Sequence, residues 1–474
     1  MLYYSTNHKI SPVSFKEALL MGQAPDKGLF MPSQIPLITS SFLQSLVGQP
    51  YWKIAFEITS MFVDGEISAP DLLKICKEAY DFDLPIEFLE EKKEEKSEEK
   101  TNNKVYIFRQ DQGPTCAFKD FAARWLARVV EHFILEDKPK QTQLNHTQNK
   151  EDKPLHILVA TSGDTGSAVG SAFCGRQNIK VTILFPPSEV SITQRKLMTT
   201  LGKNITAIGV NGKFDDCQNM VKMAFADPDM ISLNLSSANS INFGRLLPQI
   251  VYYFYLYVQF LKDNPYPKLV VAVPCGNFGN VMGGLFAKQM GLPIHTFVTA
   301  TNSNNAFTKF VQTHNYQPIV PSKVCVSNAM NVGNPSNLIR IVESFGGNSD
   351  NLGNIKRLPN MDKLKHQIVA SSWSDQDTAK AMQDVYAKYN VILEPHGAVG
   401  YLGLMEFLQK TTETDLDCVI FETAHPAKFP EEVKQILNIE VPKPQIILDT
   451  ENLVESYQTI EPNYESFKKY LLEQ

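Results

Sequence analysis

The sequence has little cysteine, and none of it is arranged in close pairs. Seven cysteines are scattered along 474 residues without a Cys-x-x-Cys motif. An odd, unpaired set does not fit a disulfide framework and is typical of a reducing compartment. The first ten residues, MLYYSTNHKI, also lack the basic and apolar regions of a secretory signal. We therefore expect a cytoplasmic protein.

Long apolar runs and concentrated positive charge are missing as well. The most apolar stretch, LLPQIVYYFYLYVQFL, contains Pro248, Gln249 and Gln259. It is also shorter than the roughly 20 apolar residues of a membrane-spanning helix, so we interpret it as a buried aromatic core helix. The formal net charge is -6, which gives no basic face for nucleic acid. We expect neither a membrane nor a nucleic-acid partner.

Several common catalytic motifs are absent too. The nine histidines show no His-Glu-x-x-His spacing, so no metal site is expected. There is no Walker A motif and no Gly-x-Ser-x-Gly elbow. Asp164 opens an Asp-Thr-Gly-Ser sequence like that of an aspartic protease, but no second Asp-Thr-Gly or Asp-Ser-Gly supplies the partner carboxylate. Asp164 therefore belongs to another kind of site.

Two glycine-rich loops follow apolar strands. VATSGDTGSAVG, residues 159–170, and VAVPCGNFGNVMG, residues 271–283, share the pattern Gly-x-x-Gly-x-x-x-Gly. Each loop connects a strand to a run of small and apolar residues that is typical of a helix start. Because a helix N-terminus presents unpaired amides and positive dipole, both loops are predicted to bind anions. Two such loops indicate one or two ligands with two negative groups.

The order of the elements predicts an α/β fold. From residue 154 onward, apolar strands alternate with helices, which favours largely parallel sheets flanked by helices. The residues before about 85 are predicted to be mainly helical, and two polar inserts interrupt the chain near 87–104 and 138–154. We expect an N-terminal region, residues 1–104, that ends in a charged linker. A larger domain is expected to cover residues 105–137 and 265–445, and a smaller domain residues 154–264. Residues 446–474 are expected to form a C-terminal tail.

Lys119 is the most unusual candidate for chemistry. It follows a Gly-Pro turn, begins an amphipathic helix and lies between Phe118 and Phe121. Partial burial there would lower the pKa of its amine and favour the nucleophilic neutral form, although a lysine at a helix start also commonly extends into solvent. Pyridoxal phosphate is typically held by three parts that all occur in this sequence. They are a lysine, a Gly-Asn-Phe-Gly-Asn loop for the phosphate, and a polar residue, here Thr423, after the strand CVIFE.

At this point the sequence resembles the threonine synthase family, in its longer form with an N-terminal extension. The resemblance lies in the blocks GPTCAFKDFA, ATSGDTGSA, NSINFGRLLPQIVYYF, PCGNFGNVMGG and ETAHPAKFP, which occur in order along nearly the whole chain. It implies a fold-type II pyridoxal 5'-phosphate enzyme with two open, largely parallel sheets. It also implies that the substrate is O-phospho-L-homoserine, which is converted with water to L-threonine and phosphate.

The resemblance also implies roles for individual residues. Lys119 would bind the cofactor covalently, and Asp164 would lie near its 3'-oxygen or the bound substrate. The cofactor phosphate would bind to the loop Gly276, Asn277, Phe278, Gly279 and Asn280, and Thr423 would contact the pyridine nitrogen. The substrate phosphate would bind to Asn239, Ser240 and Arg245, and its α-carboxylate to Ser162 and Thr165.

Three positions depart from the family pattern, and three other functions stay open. Cys116, Cys275 and Gly397 stand where leucine, serine and threonine are more familiar, and the Cys275 thiol is a candidate for oxidation. A serine or threonine dehydratase would have no use for Asn239, Ser240 and Arg245 as a phosphate site. A phospho-lyase that stops before water addition would keep it. A non-catalytic binding protein would be expected to lose Lys119 or the phosphate loop.

Overall fold

The structure is a computed structural model that describes residues 1–90, 102–137 and 153–473. The central parts of both predicted polar inserts lie outside these residues. The strands are β1 (Tyr3–Ser5), β2 (Phe30–Pro32), β3 (Ile86–Phe88), β4 (Lys104–Arg109), β5 (Leu155–Ala160), β6 (Ile179–Phe185), β7 (Ile205–Val210), β8 (Leu235–Ser237), β9 (Leu269–Pro274), β10 (Thr296–Thr301), β11 (Asn348–Ser349), β12 (Ile355–Arg357), β13 (Ile368–Ser372), β14 (Asp417–Glu422) and β15 (Gln458–Ile460).

Helices occur throughout the described ranges, and short 3-10 helices occur at Pro228–Leu233, Asn328–Met330 and Pro426–Lys428. The α-helices are α1 (Phe15–Met21), α2 (Ser40–Leu46), α3 (Tyr51–Val63), α4 (Ala69–Ala79), α5 (Lys119–Glu136), α6 (Asp164–Phe173), α7 (Ile192–Thr199), α8 (Phe214–Ala226), α9 (Phe243–Leu261), α10 (Gly279–Gln289), α11 (Ala306–Thr313), α12 (Leu338–Ser344), α13 (Met361–Gln367), α14 (Asp375–Tyr389), α15 (Pro395–Lys410), α16 (Pro430–Leu437), α17 (Gln445–Glu451) and α18 (Tyr464–Leu472).

Two open sheets organise the molecule. The larger has the strand order β13-β10-β9-β14-β4-β3 and is parallel except for the antiparallel pair β3 and β4. The smaller has the order β15-β7-β6-β5-β8 and is parallel throughout. This arrangement confirms the predicted α/β class.

Both sheets are buried on their two faces, which explains their continuous apolar strands. Side chains alternate between opposite faces of a strand. In β9, Val271 and Val273 accordingly join the core shared with α9, whereas Val270 and Ala272 join a second core under α15. The apolar stretch around Pro248 is the buried helix α9, as predicted. None of the helices in the described ranges combines the length and apolarity needed to cross a membrane.

Two short strands add to the sheets at their edges. β3 comes from the N-terminal region and pairs with β4, and β15 comes from the C-terminal segment and pairs with β7. Each has only three residues, which is too few to show a period of two in the sequence. We propose the domain division given above, with β3 added to the larger domain and β15 to the smaller.

Candidate active site

A single cavity lies at the carboxyl ends of the parallel strands. It follows β5 and β8 in the smaller sheet and β9 and β14 in the larger, which is where open α/β sheets bind ligands. Every residue that the sequence analysis assigned to a site lines this cavity. They are Lys119, Ser162, Asp164, Thr165, Asn239, Ser240, Arg245, Gly276, Asn277, Phe278, Gly279, Asn280 and Thr423.

Lys119 is the first residue of α5, and its amine lies inside the cavity. Its Nζ is 3.4 Å from Oδ2 of Asp164 and lies 4.6 Å from the centre of the Phe118 ring. Burial lowers the pKa of Lys119; the charge of Asp164 opposes this shift, while Lys428 and Arg245 lower the pKa further. The neutral amine, which is the nucleophilic form, is therefore favoured relative to an exposed lysine.

Asp164 begins helix α6 and lies between two lysines. Its Oδ1 is 2.7 Å from Nζ of Lys428 and also accepts a hydrogen bond of 2.9 Å from the Gln194 amide. Burial opposes ionisation of this carboxyl, but the charges of Lys428 and Lys119 outweigh burial and hold the pKa of Asp164 well below its usual range. Asp164 is thus a fixed negative charge and not a general acid of the protease kind.

The loop from Gly276 to Asn280 presents its backbone amides to the cavity. Phe278 adopts a left-handed conformation with φ of 57° immediately before α10. No acceptor among the described residues takes a hydrogen bond from the amides of residues 277–280. Four unpaired donors at the start of a helix are the arrangement that commonly binds a phosphate group.

The cavity fits pyridoxal phosphate. The amine of Lys119, the amides of the loop and the hydroxyl-bearing Thr423 all line it, and together they match the aldehyde, the phosphate and the ring nitrogen of that molecule. Gly276 lies so close to the neighbouring chain that a Cβ there would be 2.8 Å from the carbonyl oxygen of Ala329. Only glycine therefore keeps the loop backbone in this place.

The second glycine loop lies across the cavity. The Thr161 hydroxyl accepts hydrogen bonds of 2.9 Å from the amides of Gly163 and Gly166 and so holds the loop in shape. The amides of Asp164 and Thr165 donate to no group in the described ranges. The unpaired amides of this helix start suit an anion, and its role as a second anion site stays a prediction.

Arg245 is buried in the first turn of α9 with 3% of its surface exposed. Its Nη1 donates to the carbonyl of Ala238 over 2.7 Å, and its Nε has no partner among the described residues. Burial lowers the pKa of Arg245 to about 10, with Asp120 opposing the shift. Asn239 uses one N–H on the carbonyl of Ala160, at 2.9 Å. A buried guanidinium with an unpaired donor is suited to an anionic partner.

A buried arginine supports this part of the site from behind. Arg340 donates to the carbonyls of Ser240 at 3.0 Å and Ile241 at 2.8 Å, and also to that of Phe30. Burial lowers the pKa of Arg340 to about 9. The loop that carries Asn239 and Ser240 is therefore fixed to the N-terminal region.

The sequence analysis missed three residues of the site. Lys428 and Gln194 hold Asp164, and His396 lines the cavity. His396 accepts a hydrogen bond of 3.0 Å at Nε2 from the Ala329 amide and contacts Glu394 through Nδ1, so its proton is on Nδ1. Lys428 lies in the same block as Thr423, ETAHPAKFP, which was the one available signal for it.

The expectation that Cys275 is open to oxidation is not supported. Its Sγ donates to the carbonyl of Val273 over 3.2 Å, and burial raises the pKa of the thiol well above its usual range. The reactive form of cysteine is the thiolate. A buried, protonated thiol is therefore a structural residue here.

Comparison with known proteins identifies the family. The chain matches the family models "Threonine synthase N terminus" over residues 2–80, "Pyridoxal-phosphate dependent enzyme" over residues 91–422, and "Threonine synthase, C-terminal" over residues 397–471. A threonine synthase of Buchnera aphidicola from Schizaphis graminum is 36% identical over 473 residues, which cover 100% of this chain and 99% of that protein.

Solved structures give the same result. The crystal structure of threonine synthase from Escherichia coli aligns with a TM-score of 0.84 and 32% identity over 100% of both chains. That of pyridoxal-phosphate-bound threonine synthase from Brucella melitensis aligns with a TM-score of 0.85 and 30% identity, over 100% of this chain and 99% of the other. The predicted fold-type II class is thereby confirmed. The chain belongs to the threonine synthase family of pyridoxal-phosphate dependent enzymes.

Proposed function

We propose that the protein converts O-phospho-L-homoserine and water to L-threonine and phosphate with pyridoxal phosphate as its cofactor. The observation that carries the proposal is the cavity itself. The cavity is lined by a buried lysine, by two loops whose first helical amides have no partner among the described residues, and by a buried arginine. A phosphorylated amino acid carries a carboxylate and a phosphate, and these two anionic groups are complementary to the amide and cationic groups of the cavity.

The proposed cofactor contacts follow from the chemistry of the lining residues. Lys119 would bind the cofactor covalently, and the amides of the loop from Gly276 to Asn280 would hold its phosphate. Thr423 would contact the ring nitrogen through a hydroxyl and not a carboxylate, which moderates the electron withdrawal by the ring. Asp164 would lie by the 3'-oxygen or the substrate.

The proposed substrate contacts divide between the loop at the start of α6 and the cluster around Arg245. Ser162 and Thr165 would bind the α-carboxylate at the start of α6. Arg245, Asn239 and Ser240 would hold the phosphate that leaves. A planar guanidinium matches a phosphate dianion with two parallel hydrogen bonds, which orients the leaving group.

Lys119 has a second role in the proposal. Pyridoxal phosphate, when bound, withdraws electrons from the amino acid and so acidifies its α-carbon. With the substrate amine bound in place of Nζ, the free amine of Lys119 would take protons from Cα and Cβ, and would deliver protons to Cγ, which becomes the methyl carbon of threonine, and back to Cα. The arginine site holds the γ-phosphate as it departs, and water then adds at Cβ. We also propose a cytoplasmic location, which the free cysteines among the described residues support.

One assay tests the reaction. The purified protein with pyridoxal phosphate is incubated with O-phosphohomoserine, and released phosphate and threonine are both measured. Equal amounts of the two products are expected. Phosphate without threonine would show a phospho-lyase, and formation of oxo acids from serine or threonine in a parallel incubation would show a dehydratase. Absence of every product would contradict catalysis.

A further inference from the structure

Lys428 is a buried charge in direct contact with the cavity wall. It ends the 3-10 helix Pro426–Lys428, and its side chain is 0% exposed. Its Nζ lies 2.7 Å from Oδ1 of Asp164 and donates to the carbonyl of Thr115 over 2.9 Å. A lysine is almost never fully buried unless it is paired, and here the partner is a residue of the proposed site.

Asp164 divides its two oxygens between two lysines. Oδ1 receives Lys428 at 2.7 Å and Gln194 at 2.9 Å, whereas Oδ2 faces Lys119 at 3.4 Å. The contact with Lys428 is therefore the closer ion pair. Since the Coulomb interaction strengthens as the distance shortens, Asp164 is neutralised mainly by Lys428 and not by Lys119.

The other charged groups around Lys119 do not replace Lys428 as the counter-charge of Asp164. Arg245 is positive and opposes a second positive charge nearby. The ring nitrogens of His396 are engaged elsewhere, since Nε2 accepts a hydrogen bond from the Ala329 amide and Nδ1 contacts the carboxylate of Glu394. Asp120 is bound to the amide and the hydroxyl of Thr115, and burial raises the pKa of its carboxyl. Lys428 is thus the group that balances Asp164.

We infer that Lys428 is a positioning residue of the active site: it holds Asp164 in place and supplies a positive charge that favours the uncharged form of the Lys119 amine. Without Lys428, the buried carboxylate of Asp164 would take its counter-charge from Lys119, which would then be protonated. A protonated amine does not attack an aldehyde. The inference rests on the proposed role of Lys119 in binding the cofactor.

A purely structural role is the alternative. Lys428 also connects the segment after β14 to the rest of the chain, because its carbonyl accepts a hydrogen bond of 2.6 Å from the Ser191 hydroxyl. Removal of a structural lysine would lower stability. It would not change the pH at which Lys119 reacts.

The test measures attachment of pyridoxal phosphate to the apoprotein between pH 6 and 10, and not turnover. Attachment is followed by visible absorbance, then trapped with borohydride and located by peptide mapping. For Lys428→Met we expect attachment at neutral pH to slow on the order of tenfold and to recover at alkaline pH, because a nearby charge commonly shifts a pKa by one unit or more. Lys288→Met is the matched control, since Lys288 is partly buried and donates to the carbonyl of His295 away from the cavity.

A second pair of variants keeps the inference testable if Lys428→Met does not fold. Asp164→Asn is compared with Asp164→Asn/Lys428→Met. The double variant should react with its profile displaced to higher pH, but by less than in the first comparison, because only the direct repulsion between Lys428 and Lys119 remains once the carboxylate is gone. If the rate of cofactor attachment had the same pH dependence with and without Lys428 in either comparison, the inference would be overturned. Attachment of the unmodified protein at a lysine other than Lys119 would instead contradict the proposed function, so the two failures are distinguishable.

Discussion

The carboxyl group of Glu422 occupies the space that a side chain at position 397 would need. A Cβ built on Gly397 would lie 1.7 Å from Oε2 of Glu422. Glu422 ends β14 and Gly397 lies in the first turn of α15, and both are buried. The departure of Gly397 from the more familiar threonine is therefore matched to the glutamate opposite. The two residues form one packing unit next to Thr423.

Gly397→Ala is expected to destabilise the protein by about 1–3 kcal/mol, the usual range for overpacking a close-packed core. Urea unfolding followed by circular dichroism measures the change. Gly400→Ala is the matched control, because it lies in the same helix and its Cβ would meet Pro274 at an ordinary distance of 3.4 Å. Adding Glu422→Ala to Gly397→Ala should restore part of the lost free energy of unfolding. If Gly397→Ala and Gly400→Ala lowered the free energy of unfolding equally, the steric overlap between residue 397 and Glu422 would be refuted.

Glu422 also predicts a pH dependence of stability. Burial and the neighbouring Glu394 raise the pKa of Glu422 well above its usual range, and its Oε2 has no hydrogen-bond partner among the described residues. The unfolded chain loses this proton at a lower pH than the folded protein does. The contribution of Glu422 to the free energy of unfolding is therefore fully present below its pKa in the unfolded chain, near 4.5. This contribution is lost as the pH rises toward the pKa of Glu422 in the folded protein.

Glu422→Gln removes that titration. Relative to the unmodified protein, the variant should gain free energy of unfolding between pH 5 and pH 8, as measured by urea unfolding at each pH. Glu473→Gln, on an exposed residue of the C-terminal segment, serves as the control. A difference between Glu422→Gln and the unmodified protein that is constant over this range would contradict a raised pKa.

Much of this site was accessible from the sequence, for identifiable reasons. Strands β5 and β9 are continuous apolar runs that end in glycine loops, so strand, loop and helix start are all local signals. The expected site residues come together because parallel strands end at the same edge of their sheets. Local sequence was therefore sufficient for the loops, whereas Lys119 became a candidate only in combination with the phosphate loop and Thr423.

The remaining features depend on contacts between distant segments. Lys428 meets Asp164 only after both sheets have formed, and no local pattern links the two residues. Helix α14, DQDTAKAMQDVYAKY, was not predicted, because it is mostly polar and buries only a few of its side chains. The close fit of Gly397 against Glu422 could not be predicted from the sequence, because it depends on the distance between β14 and α15.

Lys119→Ala should abolish the covalent link to the cofactor. The side chain that attacks the aldehyde is removed, so borohydride reduction of the variant with pyridoxal phosphate should leave no label in the peptide that contains residue 119. Mass spectrometry of the digested protein makes the measurement, and Lys288→Met should be labelled like the unmodified protein. A label on another lysine of the unmodified protein would show that Lys119 has a different role.

Arg245→Lys separates the two phosphate sites. The guanidinium of Arg245 is held by the carbonyl of Ala238 and keeps its Nε unpaired among the described residues, whereas the loop at residues 276–280 lines the same cavity with backbone amides at the start of α10. Lysine keeps the charge but not the planar fork that matches a phosphate. We therefore expect turnover of O-phosphohomoserine to fall on the order of a hundredfold, comparable to the loss of one preorganised donor.

The visible absorbance of the bound cofactor should survive in Arg245→Lys, because its own phosphate binds at the other loop. Arg176→Lys is the control, since Arg176 pairs with Glu131 at 2.7 Å outside the cavity, and its turnover should not change. Two results would each refute the assignment of Arg245 to the leaving phosphate. One is turnover equal to that of the unmodified protein, and the other is loss of cofactor absorbance together with turnover, which would assign Arg245 to the cofactor instead.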